Sequence, residues 1–164
     1  MAITANGFIA TEDDSSDFLT KTESESYVSH VCKAGALIIG RRTYNILSLQ
    51  PEFQAFLKAK IKIVAVSHSE FMMLDKSHAI AHSPQEALTL LKGFKEVILA
   101  GGSILNTSFL EQNLVDEIYL DVEPTVMGKG IPLFQNKDFE KKLEFISSKN
   151  ISKNEIQLHY KIIK

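Results

Sequence analysis

The 164-residue chain has a single cysteine, Cys32, and no tryptophan. One cysteine excludes an intrachain disulfide and any zinc site built from several thiolates, and it fits a reducing compartment. Proline is scarce, with 4 residues, and glycine numbers 8. No linker rich in either divides the chain, so residues 1–164 read as one domain. Charge of one sign is missing too: 18 Lys and Arg face 20 Asp and Glu, for a formal charge of −2. That balance asks for neither nucleic acid nor an anionic membrane as a partner. No apolar run approaches the ~18 residues of a membrane span. The N-terminus lacks the basic, then apolar, then small-residue pattern of a secretory signal. The expectation is a cytoplasmic protein.

What is present is an apolar fraction of 45%, arranged in a pattern that switches between strand and helix periods. Ala2 to Ala10 reads as a strand broken at Asn6-Gly7, a turn-forming pair. Thr22-Glu23-Ser24-Glu25 has the spacing of a capping box, and Tyr27, Val28 and Val31 follow on one helical face. Ala36 to Ile39 and Ile61 to Ser67 are strands, and a weaker one runs from His78 to His82. Ser83-Pro84-Gln85-Glu86 is a second capping box with proline at the first helical position, and Gly93 is its expected stop. Val97 to Ala100 is a strand, followed by a helix that turns Leu105, Phe109 and Leu110 inward. Glu117 to Glu123 and Glu155 to Ile163 are strands, with Ile156, Leu158, Tyr160 and Ile162 on one face. The order predicts an α/β fold with a mostly parallel central sheet and an antiparallel C-terminal edge hairpin.

Two segments repeat one design, a buried strand running through glycine into a helix start. They are Ala36-Leu37-Ile38-Ile39-Gly40-Arg41-Arg42-Thr43 and Val97-Ile98-Leu99-Ala100-Gly101-Gly102-Ser103. Ligands of open α/β sheets bind beyond the carboxyl ends of the strands. Helix N-termini there present N–H groups to phosphates, and glycine permits close approach to the backbone. Each motif alone can also be a plain tight connection with solvated arginines. Neither is G-x-G-x-x-G, no G-x-x-x-x-G-K-[ST] occurs, and Gly128-Lys129-Gly130 reads as a turn between strand segments.

Asn6-Gly7-Phe8-Ile9-Ala10, Ile39-Gly40-Arg41-Arg42-Thr43-Tyr44, Val66-Ser67, Ala100-Gly101-Gly102-Ser103 and Asp116-Glu117-Ile118-Tyr119-Leu120 together resemble the dihydrofolate reductase superfamily. Gly128-Lys129-Gly130-Ile131-Pro132-Leu133-Phe134 is similar to the branch formed by the reductase domain of the riboflavin-biosynthesis deaminase–reductase and its stand-alone relatives. The resemblance implies a three-layer, dihydrofolate-reductase-like sandwich and NADPH as cofactor. It implies hydride transfer to a C=N bond of a pterin- or pyrimidine-like heterocycle. Carried over position by position, Gly40, Arg41, Arg42 and Thr43 would hold NADPH phosphates, and Ser67 and His68 the adenosine 2′-phosphate. Gly101, Gly102, Ser103, Ile104 and Leu105 would hold the pyrophosphate and its ribose. The backbones of Ala2 and Ile9 would meet the nicotinamide carboxamide. The rival class is an NADP(H)-binding module without turnover.

The same resemblance implies a catalytic acid near positions 23 to 25. Glu23 is the candidate, whereas Glu25 reads as the carboxylate of the capping box. Relative to the family the first strand begins late and is expected to be shortened. The phosphoribosyl motifs of the riboflavin branch have no counterpart in Asn45 to Phe53, and Phe18 stands in for the tryptophan common near the folate-reductase substrate loop. A homodimer is expected, with Pro132-Leu133-Phe134 as an apolar contact. His78 and His82, on a strand, lie too far apart to share a metal, so no metal site is expected. His159 reads as solvated, and Cys32, on a helix from 22 to 33, as a packing residue.

Overall fold

A computed structural model describes all residues from Met1 to Lys164. In chain order the elements are β1 (Ala2–Thr4), β2 (Phe8–Ala10), α1 (Lys21–Ala34), β3 (Ala36–Gly40), α2 (Arg41–Leu47), α3 (Pro51–Lys58), β4 (Lys62–Val66) and β5 (Ala79–Ala81). They continue with α4 (Pro84–Leu90), β6 (Ile98–Leu99), α5 (Ser103–Glu111), β7 (Glu117–Glu123), β8 (Ile131–Pro132), β9 (Leu143–Asn150) and β10 (Ile156–Ile162). Two compact units result. Residues Ser26–Asn106 form one, and Met1–Glu25 with Thr107–Lys164 form the other.

The middle unit is built on a parallel sheet of order β5-β4-β3-β6. Its inner strands carry near-continuous apolar runs, as expected of parallel strands covered on both faces. Leu37, Ile38, Ile39, Ile63, Val64 and Ala65 are each at most 1% exposed. Val31, Tyr44, Leu47, Phe53, Phe56 and Ile61 pack with β3 and β4 into one core, and Tyr27 and Val28 join its edge. Each such large side chain contributes about 1.5–3 kcal/mol on burial. Helix α3, for which the sequence reading has no element, supplies Phe53 and Phe56. Proline opens it at the first position, where the missing N–H costs nothing.

Buried polar groups in this unit are paired. The Tyr44 hydroxyl meets His78 Nδ1 at 3.0 Å and accepts from the Leu74 backbone N–H at 2.9 Å. Burial holds the His78 imidazole below its ordinary pKa. The Ser83 cap forms as expected, with Ser83 Oγ accepting from Glu86 N at 3.2 Å. Cys32 is exposed rather than packed.

The unit formed by the chain ends holds a sheet of order β1-β7-β10-β9, in which β1 runs parallel to β7 and the rest is antiparallel. β2 and β8 form a separate antiparallel pair. The break at Asn6-Gly7 is present, with Gly7 at φ +88° and its N–H donating to Thr4 O at 2.9 Å. The cap of helix α1 lies two residues earlier than expected. It is Thr20, whose Oγ1 accepts from Glu23 N at 3.1 Å. Glu25 is no cap; it is exposed and pairs with Lys21 at 3.5 Å. His159 is not solvated either. It stacks on Tyr119 with centroids 4.0 Å apart, and its Nε2 meets Glu117 Oε2 at 2.8 Å.

Gly130 has a requirement that its sequence context does not show. A Cβ there would lie 2.6 Å from Ala10 O and 3.2 Å from the Phe8 ring, because the backbone passes directly beneath β2. Gly130→Ala therefore forces the β2–β8 pair apart. It should cost about 1–3 kcal/mol of stability, measured by urea unfolding, whereas Gly128→Ala, with nothing within 4 Å, should cost far less.

Candidate functional site

The two strand–glycine–helix motifs converge. β3 and β6 are adjacent and parallel, with Leu37 opposite Ile98 and Ile38 opposite Leu99, so both chains leave the sheet on the same side. There Gly40 N donates to Gly101 O at 2.7 Å, and Ala100 N donates to Ile38 O at 3.0 Å. Gly101 sits at φ +78°, and the Gly101–Gly102 peptide is cis. Gly40, by contrast, has φ −75°, and a Cβ on it would meet nothing closer than 3.7 Å. A Cβ on Gly102 would meet only Thr43 Oγ1, at 3.5 Å. The packing within the fold demands glycine at neither of these two positions. Their bareness leaves backbone exposed to an outside group, and the first N–H groups of α5 lack carbonyl partners in their own helix.

Of the residues assigned to that end of the sheet, Thr43 is placed directly over Gly102. Ser103 and Leu105 are 4% and 8% exposed, while Ile104 is exposed on the first turn of α5. Arg41 is held from two sides: its Nη1 donates to Ser69 Oγ at 2.9 Å, and its guanidinium lies 5.1 Å from the Phe71 ring centroid. Arg42 is exposed.

At the end of β4, Ser67 is buried and its Oγ donates to Ser69 O at 2.7 Å. His68 is exposed. The ring that meets Ser67 is that of His82, whose Nδ1 lies 2.9 Å from Ser67 O. Ser69, Phe71 and His82 were not legible as site residues: they lie outside the strand–glycine–helix pattern and are brought in by β5 and the segment after β4.

In the unit of the chain ends, Glu23 lies in the first turn of α1 and is 5% exposed. Ala2 is buried on β1 opposite Asp121. Ile9 is the residue skipped where the β2–β8 register shifts between Phe8 and Ala10, so its backbone stands outside the ladder. The Met1 amino nitrogen donates to Tyr119 O at 2.7 Å, and Asp121 and Glu23 lie within its electrostatic reach. No group of three or more His, Cys, Asp or Glu residues is placed to hold a metal ion, and no helix is long and apolar enough to cross a membrane.

An α/β fold with glycine-bordered parallel strands and an antiparallel edge defines a class of protein that comparison narrows further. Residues 1–157 match the RibD C-terminal domain, and the chain belongs to that family. It is 29% identical over 166 residues to the uncharacterised protein YwjB of Bacillus subtilis (strain 168), covering 98% of this chain and 94% of YwjB. It is similar in structure to a protein of Shewanella sp. PV-4 whose proposed role is in riboflavin biosynthesis. The TM-score there is 0.82 at 19% identity, over 100% of this chain and 97% of that one. A diaminohydroxyphosphoribosylaminopyrimidine deaminase/5-amino-6-(5-phosphoribosylamino)uracil reductase of Thermotoga maritima shares the fold at TM-score 0.70 and 15% identity. It aligns over 99% of this chain and 55% of its own.

The two histidines that bracket β5 provide a check on this geometry. The Ser67 carbonyl, then Glu86 and Glu70, raise the His82 pKa, while burial lowers that of His78. An NMR titration of the imidazole resonances should place the His82 midpoint above the ordinary histidine value and that of His78 below it. Equal midpoints would contradict the contacts at Ser67 and Tyr44.

Proposed function

We propose that this chain is an NADPH-dependent reductase that transfers hydride to a C=N bond of a pyrimidine- or pterin-like heterocycle. The observation that carries the reading is the pair of unneeded glycines, Gly40 and Gly102, side by side at the carboxyl ends of β3 and β6. Glycine that the fold does not require, next to helix N-termini and a tethered arginine, suits a pyrophosphate approaching the backbone. Membership of the RibD C-terminal domain family and the reductase activity in the name of the Thermotoga maritima protein support the same reading.

NADPH would supply the hydride; the protein supplies orientation and electrostatics. Gly40, Thr43, Gly101, Gly102, Ser103, Ile104 and Leu105 bind the diphosphate and ribose through backbone and hydroxyl groups. Arg41, fixed by Ser69 and Phe71, gives a pre-oriented positive charge, and Arg42 adds a second. Ser67 and His68 receive the 2′-phosphate, with the His82 ring beside Ser67 adding charge when protonated. The backbones of Ala2 and Ile9 orient the nicotinamide carboxamide. Glu23, buried in the first turn of α1, holds the proton that accompanies reduction at the substrate nitrogen. The setting is cytoplasmic.

We place self-association into a homodimer on the sheet of the chain-end unit rather than on Pro132-Leu133-Phe134. Leu133 donates its N–H to Gly7 O at 3.0 Å, and Phe134 packs edge-on against Phe139. The sheet instead presents Ile118, Leu120, Val122, Leu158 and Tyr160 on one face, none of them fully buried, with Phe145, 57% exposed, beside Tyr160.

Three substitutions test the enzyme reading by NADPH thermal shift and by NADPH oxidation with pyrimidine and pterin substrates. Gly102→Ala should fold with little loss of stability, since its Cβ fits, yet weaken NADPH binding tenfold or more, about 1.4 kcal/mol. Arg41→Ala should reduce the preference for NADPH over uncharged analogues. Glu23→Gln should lower turnover by ~10²–10⁴ while leaving NADPH binding intact. Binding without turnover on any substrate would leave the non-catalytic module, and no binding by the wild-type chain would sink both.

A further inference from the structure

The sheet of the chain-end unit hides a polar face. Successive rows across β1, β7 and β10 are Ala2–Asp121–Gln157 and Thr4–Glu123–Glu155. The register pairs Ala2 with Asp121, Thr4 with Glu123 and Gln157 with Asp121. Ile156 pairs with Val122, so Glu155, immediately before β10, stands directly across from Glu123. None of these residues is more than 6% exposed, and Glu123 is 1% exposed.

In the first row the acid is satisfied: Gln157 Nε2 donates to Asp121 Oδ1 at 2.7 Å. In the second it is not. Both oxygens of Glu123, and Oε2 of Glu155, are buried with no hydrogen-bond partner. The neighbouring donors are already committed. Thr4 Oγ1 donates to Asn6 Oδ1 at 3.0 Å, the Gln157 amide serves Asp121, and the Met1 amino group serves Tyr119 O. Two ionised carboxylates in this position would be like charges directly opposite on neighbouring strands, with the Thr20 backbone N–H as the one donor acting on Glu123, an arrangement that buried groups sustain poorly. A carboxylic acid facing a carboxylate removes both costs, because its O–H is the missing donor.

We infer that Glu123 and Glu155 form a buried proton-binding site, in which one proton is held between the two carboxyl groups and its release to solvent loosens the seam between β7 and the start of β10. The inference is independent of the reductase reading, since it rests only on the register and burial of this sheet.

The charged and titratable groups around Glu123 all act in a consistent sense. Burial comes first, then the Glu155 charge, and Asp121 on its own strand adds to them; only the Thr20 backbone N–H, from the segment before α1, pulls the other way. The net result raises Glu123 to about 6. The Met1 amino group, just before β1, has Asp121 and Glu23 within its electrostatic reach. Because the folded chain holds the proton more tightly than the unfolded chain, the contribution to stability is complete below the ordinary glutamate range. It is lost as pH rises through about 6.

The experiment compares thermal unfolding of the full chain and of Glu123→Gln between pH 5 and pH 8. Glutamine keeps the shape, cannot ionise and offers Glu155 an amide donor. The melting temperature of the wild type relative to the variant should fall by about 3–5 °C across that range. His78, whose slope has the opposite sign, is present in both proteins and cancels. Glu155→Gln should behave in the same way. Infrared spectroscopy of the wild type reads the proton itself: a protonated-carboxyl C=O component that titrates away with a midpoint near 6, above the ordinary carboxylate range, and is lost from Glu123→Gln. Parallel melting curves for wild type and both variants, or no such component in the wild type, would overturn the proposal. The infrared arm needs no variant, so a failure of either glutamine protein to fold leaves a decisive result.

Discussion

Everything at the candidate cofactor end depends on the parallel pairing of β3 with β6. Parallel strands exit a sheet on the same side, so two stretches some 60 residues apart in sequence deliver their glycines to one place. The hydrogen bond from Gly40 N to Gly101 O is the outcome of that pairing. It depends in turn on β3, whose residues Ala36 to Ile39 are all at most 1% exposed. A slip of one residue would turn every β3 side chain to the opposite face and part the two glycines. The core around Tyr44, Phe53 and Phe56 is what fixes the register, and the approach of two backbones at the rim follows from it.

The unit of the chain ends obeys a different balance. Its sheet buries one polar face, with Asp121, Glu123, Glu155 and Gln157, and leaves its apolar face, with Ile118, Leu120 and Tyr160, only partly covered. That reverses the usual economy of a two-sided sheet, in which apolar residues point to the core. Buried polar rows are stable only where each group finds a partner. Asp121 finds one in Gln157, whereas Glu123 faces another acid, Glu155, with the Thr20 backbone N–H as the one donor acting on it. A polar interior of this kind is also where a protein can hold an acid such as Glu23 away from water.

The sequence pattern carried the middle unit further than the ends. Alternation and runs of aliphatic residues mark β3 and β4, and the glycines after β3 and β6 mark the site, because burial and a turn leave strong local signatures. The α/β class with its antiparallel edge is legible for the same reason. Helix α3 has only 8 residues, opening on Pro51, and the sequence reading gave it no element. Strand β9 was hidden because all eight of its residues are exposed, so no alternation survives. The α1 cap was misplaced because Thr20 and Thr22 both stand three residues before a glutamate, and local sequence cannot choose between two equivalent boxes. His159 looked solvated because alternation gives the face of a strand but not the Tyr119 ring lying on it. Asp121 and Gln157 lie on what reads as an outward face; their burial comes from β1 and the segment before α1, which no pattern within β7 or β10 records.

The same physical cost acts with opposite sign in the two units. Burial disfavours whichever protonation state carries charge. At His78 that is the protonated form, and the Tyr44 hydroxyl supports the neutral ring; folding there is favoured at higher pH and weakened as pH falls through the unfolded histidine value. At Glu123 the charged state is the deprotonated one, so the dependence reverses. The two windows overlap: the Glu123 contribution is lost as pH rises through about 6, and the His78 contribution is complete only above the ordinary histidine value, so the two oppose each other across mildly acidic pH. Burial is the leading cause at both groups, and at Glu123 the Glu155 charge adds to it.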